Sequence, residues 1–274
     1  MNELALFAGA GGGILAGKLL GWNTVCAVEY ATYPASVLVA RQNDGLLAPF
    51  PIWDDVTTFD GKPWKGIVDV VSGGFPCQDI SPAGKGAGLS GERSGLWFEM
   101  LRVINEAKPL FVFIENSSNL RTRGLNTVLE GLSESGYNAA WGVLSAADIG
   151  ANHKRSRMWI LGVLADTYDS GSVEYTCKSK LWSERSQQPP ENPGRAYAGE
   201  RYQKGQSSWW HVDPATVFIG EADAAKPYVG RVADGVAARV DRLKALGNGQ
   251  VPSCHVVAWC QLYKSLLGVE YDLS

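Results

Sequence analysis

A short apolar run at residues 4–7 passes directly into a glycine cluster and then into residues 14–20, which have helical apolar spacing. Residues 24–28 are apolar and β-branched, which predicts a second strand. Parallel neighbouring strands need a crossover connection, and a helix usually supplies it. This opening therefore favours a fold built from alternating strands and helices.

The same alternation continues along the chain. Buried strands are predicted at 66–74, 110–116 and 157–164, and helices at 95–109, 125–136 and 252–268. Alternation of this kind is typical of an open sheet with helices on both faces. The sequence therefore predicts an α/β fold with a doubly wound, mainly parallel sheet.

The character of the sequence changes after Leu164. Residues 165–230 are polar and have no clean period, yet they are too rich in aromatic residues for a disordered insertion. We interpret them as a small, irregular lobe inserted into an α/β domain made of residues 1–164 and 231–274. The aromatic residues are Trp182, Tyr197, Tyr202, Trp209, Trp210 and Phe218.

Composition excludes several classes of protein. No apolar stretch approaches the ~20 residues that span a bilayer, so no membrane association and a cytoplasmic location are expected. Five cysteines without a CxxC pair argue against disulfides and structural zinc. The three histidines pair with no cysteine at metal-ligand spacing, which predicts no catalytic metal. Net charge is −3, but residues 153–157 and 226–244 are basic. Such runs suit a polyanion partner, although solvated surface charge is their commoner explanation.

The glycine cluster FAGAGGG lets a ligand approach the backbone at the start of a helix. Gly9 and Gly11 fit a dinucleotide fingerprint, but Ile14 stands where its third glycine belongs. Glu29 ends the second strand, where an acid can bind the hydroxyls of a ribose. A nucleoside-type cofactor is therefore favoured over a simple turn.

Ligands of open parallel sheets bind beyond the carboxyl ends of the strands. Cys77, in GGFPCQDIS, and Glu115, in FIENS, both follow or end predicted strands. This stretch alone is equally compatible with Cys77 as a packing residue and with Cys77 as a nucleophile. In HKRSR, Arg155 and Arg157 are two residues apart and are expected to share a face of an extended segment.

Taken in this order, these segments resemble the motifs of the DNA (cytosine-5) methyltransferases. FAGAGGG looks like the first motif of that family, GGFPCQDIS like its catalytic Pro-Cys loop, and FIENS like its Glu-Asn motif. HKRSR is similar to its Gln-x-Arg-x-Arg motif, and LGNGQVP to its last conserved segment. The resemblance covers roughly residues 1–164 and 231–268 and leaves residues 165–230 as the target-recognition domain.

The resemblance implies a Rossmann-like methyltransferase fold and transfer of a methyl group from S-adenosylmethionine to C5 of a flipped-out cytosine in duplex DNA. The product would be S-adenosylhomocysteine. Cys77 would attack C6, Glu115 would bind the cytosine ring, and Arg155 and Arg157 would hold the base and its phosphate. The cofactor-binding residues implied are Phe7, Gly9, Gly11, Glu29, Tyr30, Asp55, Val56, Pro76 and Asn248.

The same resemblance implies contacts with double-stranded DNA through Gln78, Ser81, Asn116 and Arg155. A bacterial or phage-encoded monomer is expected. Whether a cognate restriction endonuclease exists, without stable contact with this chain, is left open. Which bases flank the target cytosine is left open.

Three positions depart from the motifs, namely Ala5 in place of an acid, His153 in place of glutamine and Ser117 in place of valine. None of them removes the nucleophile or the key acid. An RNA cytosine-5 methyltransferase and a nucleic-acid-binding protein that has lost catalysis stay open as alternatives. The missing third glycine disfavours a Rossmann oxidoreductase.

Overall fold

The computed structural model describes residues 1–76, 95–165 and 239–272. Within these ranges seven strands form one sheet in the order β3-β2-β1-β4-β5-β7-β6. The five strands from β3 to β5 in that order are parallel, whereas β7 is antiparallel to both β5 and β6. The strands are β1 (Asn2–Leu6), β2 (Asn23–Val28), β3 (Ile52–Trp53), β4 (Val70–Gly73), β5 (Phe111–Ser117), β6 (Tyr137–Ser145) and β7 (Ser156–Leu164).

Helices cover both faces of this sheet. They are α1 (Gly12–Leu19), α2 (Thr32–Asn43), α3 (Leu96–Ala107), α4 (Leu120–Arg123), α5 (Leu125–Glu134), α6 (Arg239–Asn248) and α7 (Pro252–Leu267). Single 3-10 turns occur at Lys62–Trp64 and Ala147–Ile149. The mainly parallel, doubly wound α/β sheet predicted from the alternation is thereby confirmed, with β6 and β7 as its antiparallel part.

Alternate residues of β5 serve different parts of the core. Val112 and Ile114 pack with Trp97 of α3 and the residues around it. Phe111 and Phe113 pack on the other face, with Trp259 of α7. Side chains of a strand point to opposite faces in turn, so two apolar faces produce the continuous apolar run seen in the sequence. All six of these side chains are buried.

The direction of β7 determines which of its residues lie beside the end of β5 at the carboxyl edge of the sheet. β5 and β7 are antiparallel, so the end of β5 lies beside the start of β7, and Ser117 pairs with Arg157. Glu115, two residues earlier on β5, pairs with Trp159. Residues two apart share a face, and diagonal neighbours across a ladder lie within reach of long side chains. Arg157 can therefore reach Glu115.

Some details of the fold differ from the sequence prediction. Helix α2 was not predicted; its residues have weak amphipathic character, and in the helix only Leu38 is buried. Residues 137–150, given no type in the sequence pattern, contain β6. The predicted lobe at 165–230 lies almost entirely outside the described residues, and its role stays a prediction. Among the described residues, no helix is long and apolar enough to cross a membrane.

Gly73 is a point where two strands approach closely. It pairs with Leu6 of β1 on one side and Ile114 of β5 on the other. A Cβ placed on Gly73 would lie 2.5 Å from the carbonyl oxygen of Leu6. A backbone atom inside a ladder cannot move away cheaply, so β4 requires glycine at this position.

We therefore expect Gly73→Ala to lower the free energy of unfolding by about 2 kcal/mol or more, as overpacking does in a dense interior. Urea denaturation measures the change. Gly142→Ala is the matched control in β6, because a Cβ there has its nearest contact at 4.0 Å. If Gly73→Ala lowered the free energy of unfolding no more than Gly142→Ala does, β1 and β4 would be able to move apart and accommodate the added Cβ.

Glu3 is a carboxyl buried inside the sheet. Ser72 Oγ donates to its Oε1 at 2.6 Å, and Thr24 Oγ1 donates to its Oε2 at 2.7 Å. Burial raises the pKa of Glu3 from its ordinary 4.5 to about 6, although both hydrogen bonds oppose the rise. The folded protein thus binds this proton more tightly than the unfolded chain does.

The stabilising contribution of Glu3 is therefore complete below its unfolded pKa and is lost as the pH rises through about 6. In Glu3→Gln we expect the change in unfolding free energy between about pH 4.5 and about pH 7.5 to shrink by about 2 kcal/mol. Denaturant titrations at both pH values measure it. Glu134→Gln, exposed in α5, should follow the wild type, and an unaltered pH dependence in Glu3→Gln would contradict the prediction.

Candidate active site

A cleft of about 390 Å³, open to solvent, lies at the carboxyl edge of the sheet. Its walls come from the ends of β1, β4 and β5, from the first turn of α1, and from the junction between α6 and α7. The lining residues include Phe7, Gly9, Ser72, Gly74, Glu115, Asn248 and Gln250. Residues that are distant in the sequence and were predicted separately are thus brought to one cavity.

The turn after β1 forms one end of the cleft. Phe7 has φ 52°, and Gly9 and Gly11 have φ 55° and 88°. A positive φ is uncommon for a residue with a Cβ, and such residues occur preferentially at functional sites. The turn is closed by hydrogen bonds from Ala8 N to the Val28 carbonyl and from Gly11 N to the Ala8 carbonyl.

Glu29 is fixed beside this turn. Its Oε2 accepts from the backbone N–H of Gly9 at 2.7 Å, and its Oε1 accepts from Ala31 N at 2.8 Å. Each carboxylate oxygen can accept more than one hydrogen bond, so both keep capacity for a ligand. The carboxylate is only half-buried. The neighbouring Tyr30 is 81% exposed, so its ring is accessible to a ligand.

The loop after β3 carries two further predicted cofactor residues. Asp55 Oδ1 accepts from N and Oγ1 of Thr57, which makes a local turn. Val56 is buried in the core, so the structure leaves its backbone rather than its side chain for a ligand. Arg102 of α3 donates to the carbonyl of Val56 at 2.7 Å and anchors this loop.

Pro76 follows β4 and is half-buried, and Cys77 comes directly after it. Asn116 is buried at the end of β5, where its Nδ2 donates to the carbonyl of Phe75 at 3.2 Å. The amide of Asn116 therefore supports the backbone that leads to Pro76. Its predicted contact with DNA stays a prediction. Cys77, Gln78 and Ser81 lie outside the described residues.

Glu115 and Arg157 form an ion pair at the cleft wall, with 2.7 Å between Oε1 and Nε. Glu115 is only 8% exposed. Burial raises its pKa from 4.5 to about 7, whereas the charges of Arg157 and Arg155 and the hydrogen bond from Arg157 lower it. A carboxyl with a pKa near neutrality can hold a proton and donate it to a ligand.

Arg155 has a different position from the one expected. Its φ is 26°, and it lies before β7 rather than beside Arg157 in an extended strand. Its Nη2 donates to the carbonyls of Gly247 and Gly249. A cation bound to the last carbonyls of a helix stabilises that end. Arg155 therefore supports the junction that carries Asn248, and its predicted contacts with the base and phosphate stay predictions.

Two residues of the cleft region were missed in the sequence. Gln250 lines the cleft, and its Oε1 lies 2.8 Å from Nδ1 of His255. In the sequence, His255 is one of three histidines that pair with no cysteine at metal-ligand spacing. Its ring is enclosed by Trp22, which directly precedes β2, by Phe113 of β5 and by Trp159 of β7. No local sequence pattern reveals these contacts. The one available signal was a polar residue two positions after Asn248 in LGNGQVP.

The sequence model of the C-5 cytosine-specific DNA methylases matches residues 1–209. The chain belongs to this family. The Type II methyltransferase M.CviJI of Paramecium bursaria Chlorella virus IL3A is 31% identical over 191 residues, which are 69% of this chain and 50% of the relative. The Type II methyltransferase M.PspPI of Psychrobacter sp. (strain TA137) is 35% identical over 178 residues, or 62% of this chain and 41% of the relative.

This member of the family therefore spans about half the length of the curated relatives it matches, or less. Among solved structures, one described as a DNA modification methyltransferase encoded within an E. coli prophage has a TM-score of 0.50 and 24% identity. It covers 61% of this chain and 47% of that chain. This likeness bears on the fold alone, and it confirms the predicted Rossmann-like α/β architecture.

The ion pair predicts a pH-dependent stability. Arg157 opposes the rise in the pKa of Glu115, so Arg157→Ala should raise that pKa above about 7. A raised pKa of a carboxyl costs stability above the folded-state value. We expect the destabilisation by Arg157→Ala to be larger at about pH 8.5 than at about pH 6, by about 1.4 kcal/mol for each pKa unit gained.

Urea denaturation of wild type and variant at both pH values tests this expectation. The double variant Glu115→Gln with Arg157→Ala is the matched control, because it has no buried carboxylate left without a partner. Its destabilisation should not grow with pH. An equal cost of Arg157→Ala at the two pH values would mean that the guanidinium does not govern the protonation of Glu115.

Proposed function

We propose that this chain transfers a methyl group from S-adenosylmethionine to C5 of cytosine in double-stranded DNA, through a covalent bond between Cys77 and C6. The observation that carries the proposal is the single cleft that contains both the Phe7–Gly9 turn and Glu115. A cofactor at the turn and a base at Glu115 would share one cavity. Membership of the C-5 cytosine-specific DNA methylase family supports the same reaction.

The residues around the turn fit S-adenosylmethionine. Glu29 is fixed by two backbone N–H groups and keeps acceptor capacity for ribose hydroxyls. Several residues that line the cleft are glycines and bring no side chain into it, namely Gly9, Gly13, Gly73 and Gly74. Phe7, Tyr30, Asp55, Val56, Pro76 and Asn248 are the further proposed contacts. When bound, S-adenosylmethionine supplies an electrophilic methyl group.

Glu115 is the proposed contact for the cytosine ring. A base cannot be reached inside a duplex, so the cytosine is expected to leave the stack and enter the cleft. Charge then builds on the ring when the Cys77 thiolate bonds to C6. A carboxyl with a pKa near 7 can protonate or hydrogen-bond the ring nitrogen as that charge develops. After the methyl group has bonded to C5, loss of the C5 proton to a base and release of the Cys77 thiolate restore the ring.

Arg157 has two proposed tasks at this point. It keeps the Glu115 carboxyl oriented through the 2.7 Å ion pair, and its remaining N–H groups can donate to the base. Pro76 follows β4, and its ring fixes the backbone φ angle of the residue directly before Cys77. A thiolate, not a thiol, is the nucleophile.

The nucleophile is tested with Cys77→Ser. We expect wild type to place labelled methyl groups on duplex DNA and to form a denaturation-resistant adduct with DNA that contains 5-fluorocytosine. Cys77→Ser should form no such adduct and should lose about a thousandfold or more of the transfer rate. Denaturing gel electrophoresis and scintillation counting measure the two quantities.

Cys26→Ala is the matched control, since Cys26 is buried in the core and burial raises its pKa to about 11. This variant should keep both the adduct and the activity. Retained activity in Cys77→Ser would overturn the covalent mechanism. Transfer by wild type to tRNA but not to DNA would favour an RNA cytosine-5 methyltransferase, and transfer to neither would favour a binding protein.

A further inference from the structure

Gln250 and His255 form a hydrogen-bonded pair that links the cleft to the core. The Gln250 Oε1 to His255 Nδ1 distance is 2.8 Å. His255 is 1% exposed and is enclosed by Phe113, Trp159 and Trp22, whose ring centroids lie 4.7 to 5.7 Å from its own. The imidazole is thus held by rings on several sides and has no room to turn away from Gln250.

The protonation of His255 determines how Gln250 is oriented. Burial lowers the pKa of His255 to about 3, so the ring is neutral near pH 7. A carbonyl oxygen accepts only, so Nδ1 must carry the single proton and donate it to Gln250 Oε1. Nε2 of His255 is then an acceptor, and it is buried without a partner among the described residues. With Oε1 held in this way, the NH₂ group of Gln250 must point in the opposite direction.

That direction is into the cleft. Nε2 of Gln250 lies 3.5 Å from the position that a Cβ on Gly74 would occupy, and Glu115 Oε2 lies 2.9 Å from the same position. Within the described part of the chain, Nε2 of Gln250 donates to no acceptor. An amide with one end fixed and the other end free in a cavity is a preorganised hydrogen-bond donor.

The glycines of α1 allow Gln250 to take this position. A Cβ on Gly12 would lie 2.5 Å from the Gln250 carbonyl oxygen, and one on Gly13 would lie 2.9 Å from Gln250 Oε1. The first turn of α1 therefore packs directly against both the backbone and the side chain of Gln250. Both glycines therefore serve contacts within the protein, and Gly13 also lines the cleft.

The order of the strands indicates which part of a ligand the amide would meet. Glu29 is at the end of β2, the Phe7 turn follows β1, and Gly74 follows β4, which are consecutive neighbours in the sheet. Adjacent strands are about 4.8 Å apart, so Glu29 and Gly74 are about 10 Å apart across the edge. A nucleoside whose ribose binds Glu29 would extend its other substituent toward Gly74 and Gln250.

We propose that His255 is a positioning residue that aims the Gln250 amide, and that this amide donates to the carboxylate of the amino-acid portion of the methyl donor. The inference rests on the proposed function. The amino-acid portion carries the one carboxylate of S-adenosylmethionine, and a free N–H donor suits that acceptor. His255 itself touches no ligand and acts through Gln250.

Isothermal titration calorimetry with two ligands tests this role without any turnover. S-adenosylhomocysteine has the amino-acid portion, whereas 5′-methylthioadenosine lacks it. In Gln250→Met and in His255→Phe we expect S-adenosylhomocysteine to bind about tenfold more weakly, as loss of a hydrogen bond to a charged group predicts. Binding of 5′-methylthioadenosine should be unchanged.

His255→Asn is the rescuing variant, because the asparagine Nδ2 can donate from near the position of the imidazole Nδ1. It should recover most of the affinity for S-adenosylhomocysteine. Phe111→Leu is the packing control, since it alters a buried ring of the same aromatic cluster that packs on Trp259 and is not one of the three rings enclosing His255. This control should bind both ligands like wild type.

Steady-state rates give a second readout. The KM for S-adenosylmethionine should rise about tenfold in Gln250→Met, with kcat and the KM for DNA close to wild type. Wild type that binds neither ligand would overturn the proposed function itself. Wild-type binding that is unchanged in Gln250→Met, or an equal loss for both ligands, would overturn only the assignment of Gln250. Failure of His255→Asn to recover affinity, with Gln250→Met impaired, would overturn the role of His255.

Discussion

The antiparallel pairing of β5 with β7 is the constraint on which the site depends. Five parallel strands bring their carboxyl ends to one edge, and Glu115 lies near the end of β5 there. Because β7 runs in the opposite direction, its first residues lie beside the last residues of β5, and Arg157 reaches Glu115. Without this reversal, Glu115 would be a buried carboxyl with no counter-charge, which a protein interior tolerates only in the neutral form.

Close backbone approach is the second condition for this cleft. Gly73 lies against the Leu6 carbonyl, Gly12 against the Gln250 carbonyl, and Gly74 against Glu115. Each contact joins two elements that a side chain would push apart. The glycines therefore let the elements pack, and Gly73 and Gly74 also line the cleft. Asn116 and Arg155 add hydrogen bonds that hold the loops at the same edge.

Much of the architecture could be predicted because strong local patterns carry it. The apolar runs of β1, β4, β5 and β7 and the glycine cluster after β1 all have short-range signals, and these elements were found within a few residues. Helix α2 was not, because one buried residue, Leu38, gives no periodic signal. The roles of Arg155 and His255 were also not predicted, because the carbonyl that Arg155 bonds and the rings that enclose His255 belong to remote segments.

The sequence by itself determined the alternating α/β fold, the chemical groups at the strand ends and the resemblance to the cytosine-5 methyltransferases, since each depends on residues close together in the chain. Tertiary structure alone decided that Glu115 pairs with Arg157, that Arg155 binds the end of α6, and that Gln250 faces the cleft. These contacts join residues dozens of positions apart or more, or depend on a buried ring cluster, so sheet order and packing determine them rather than local pattern.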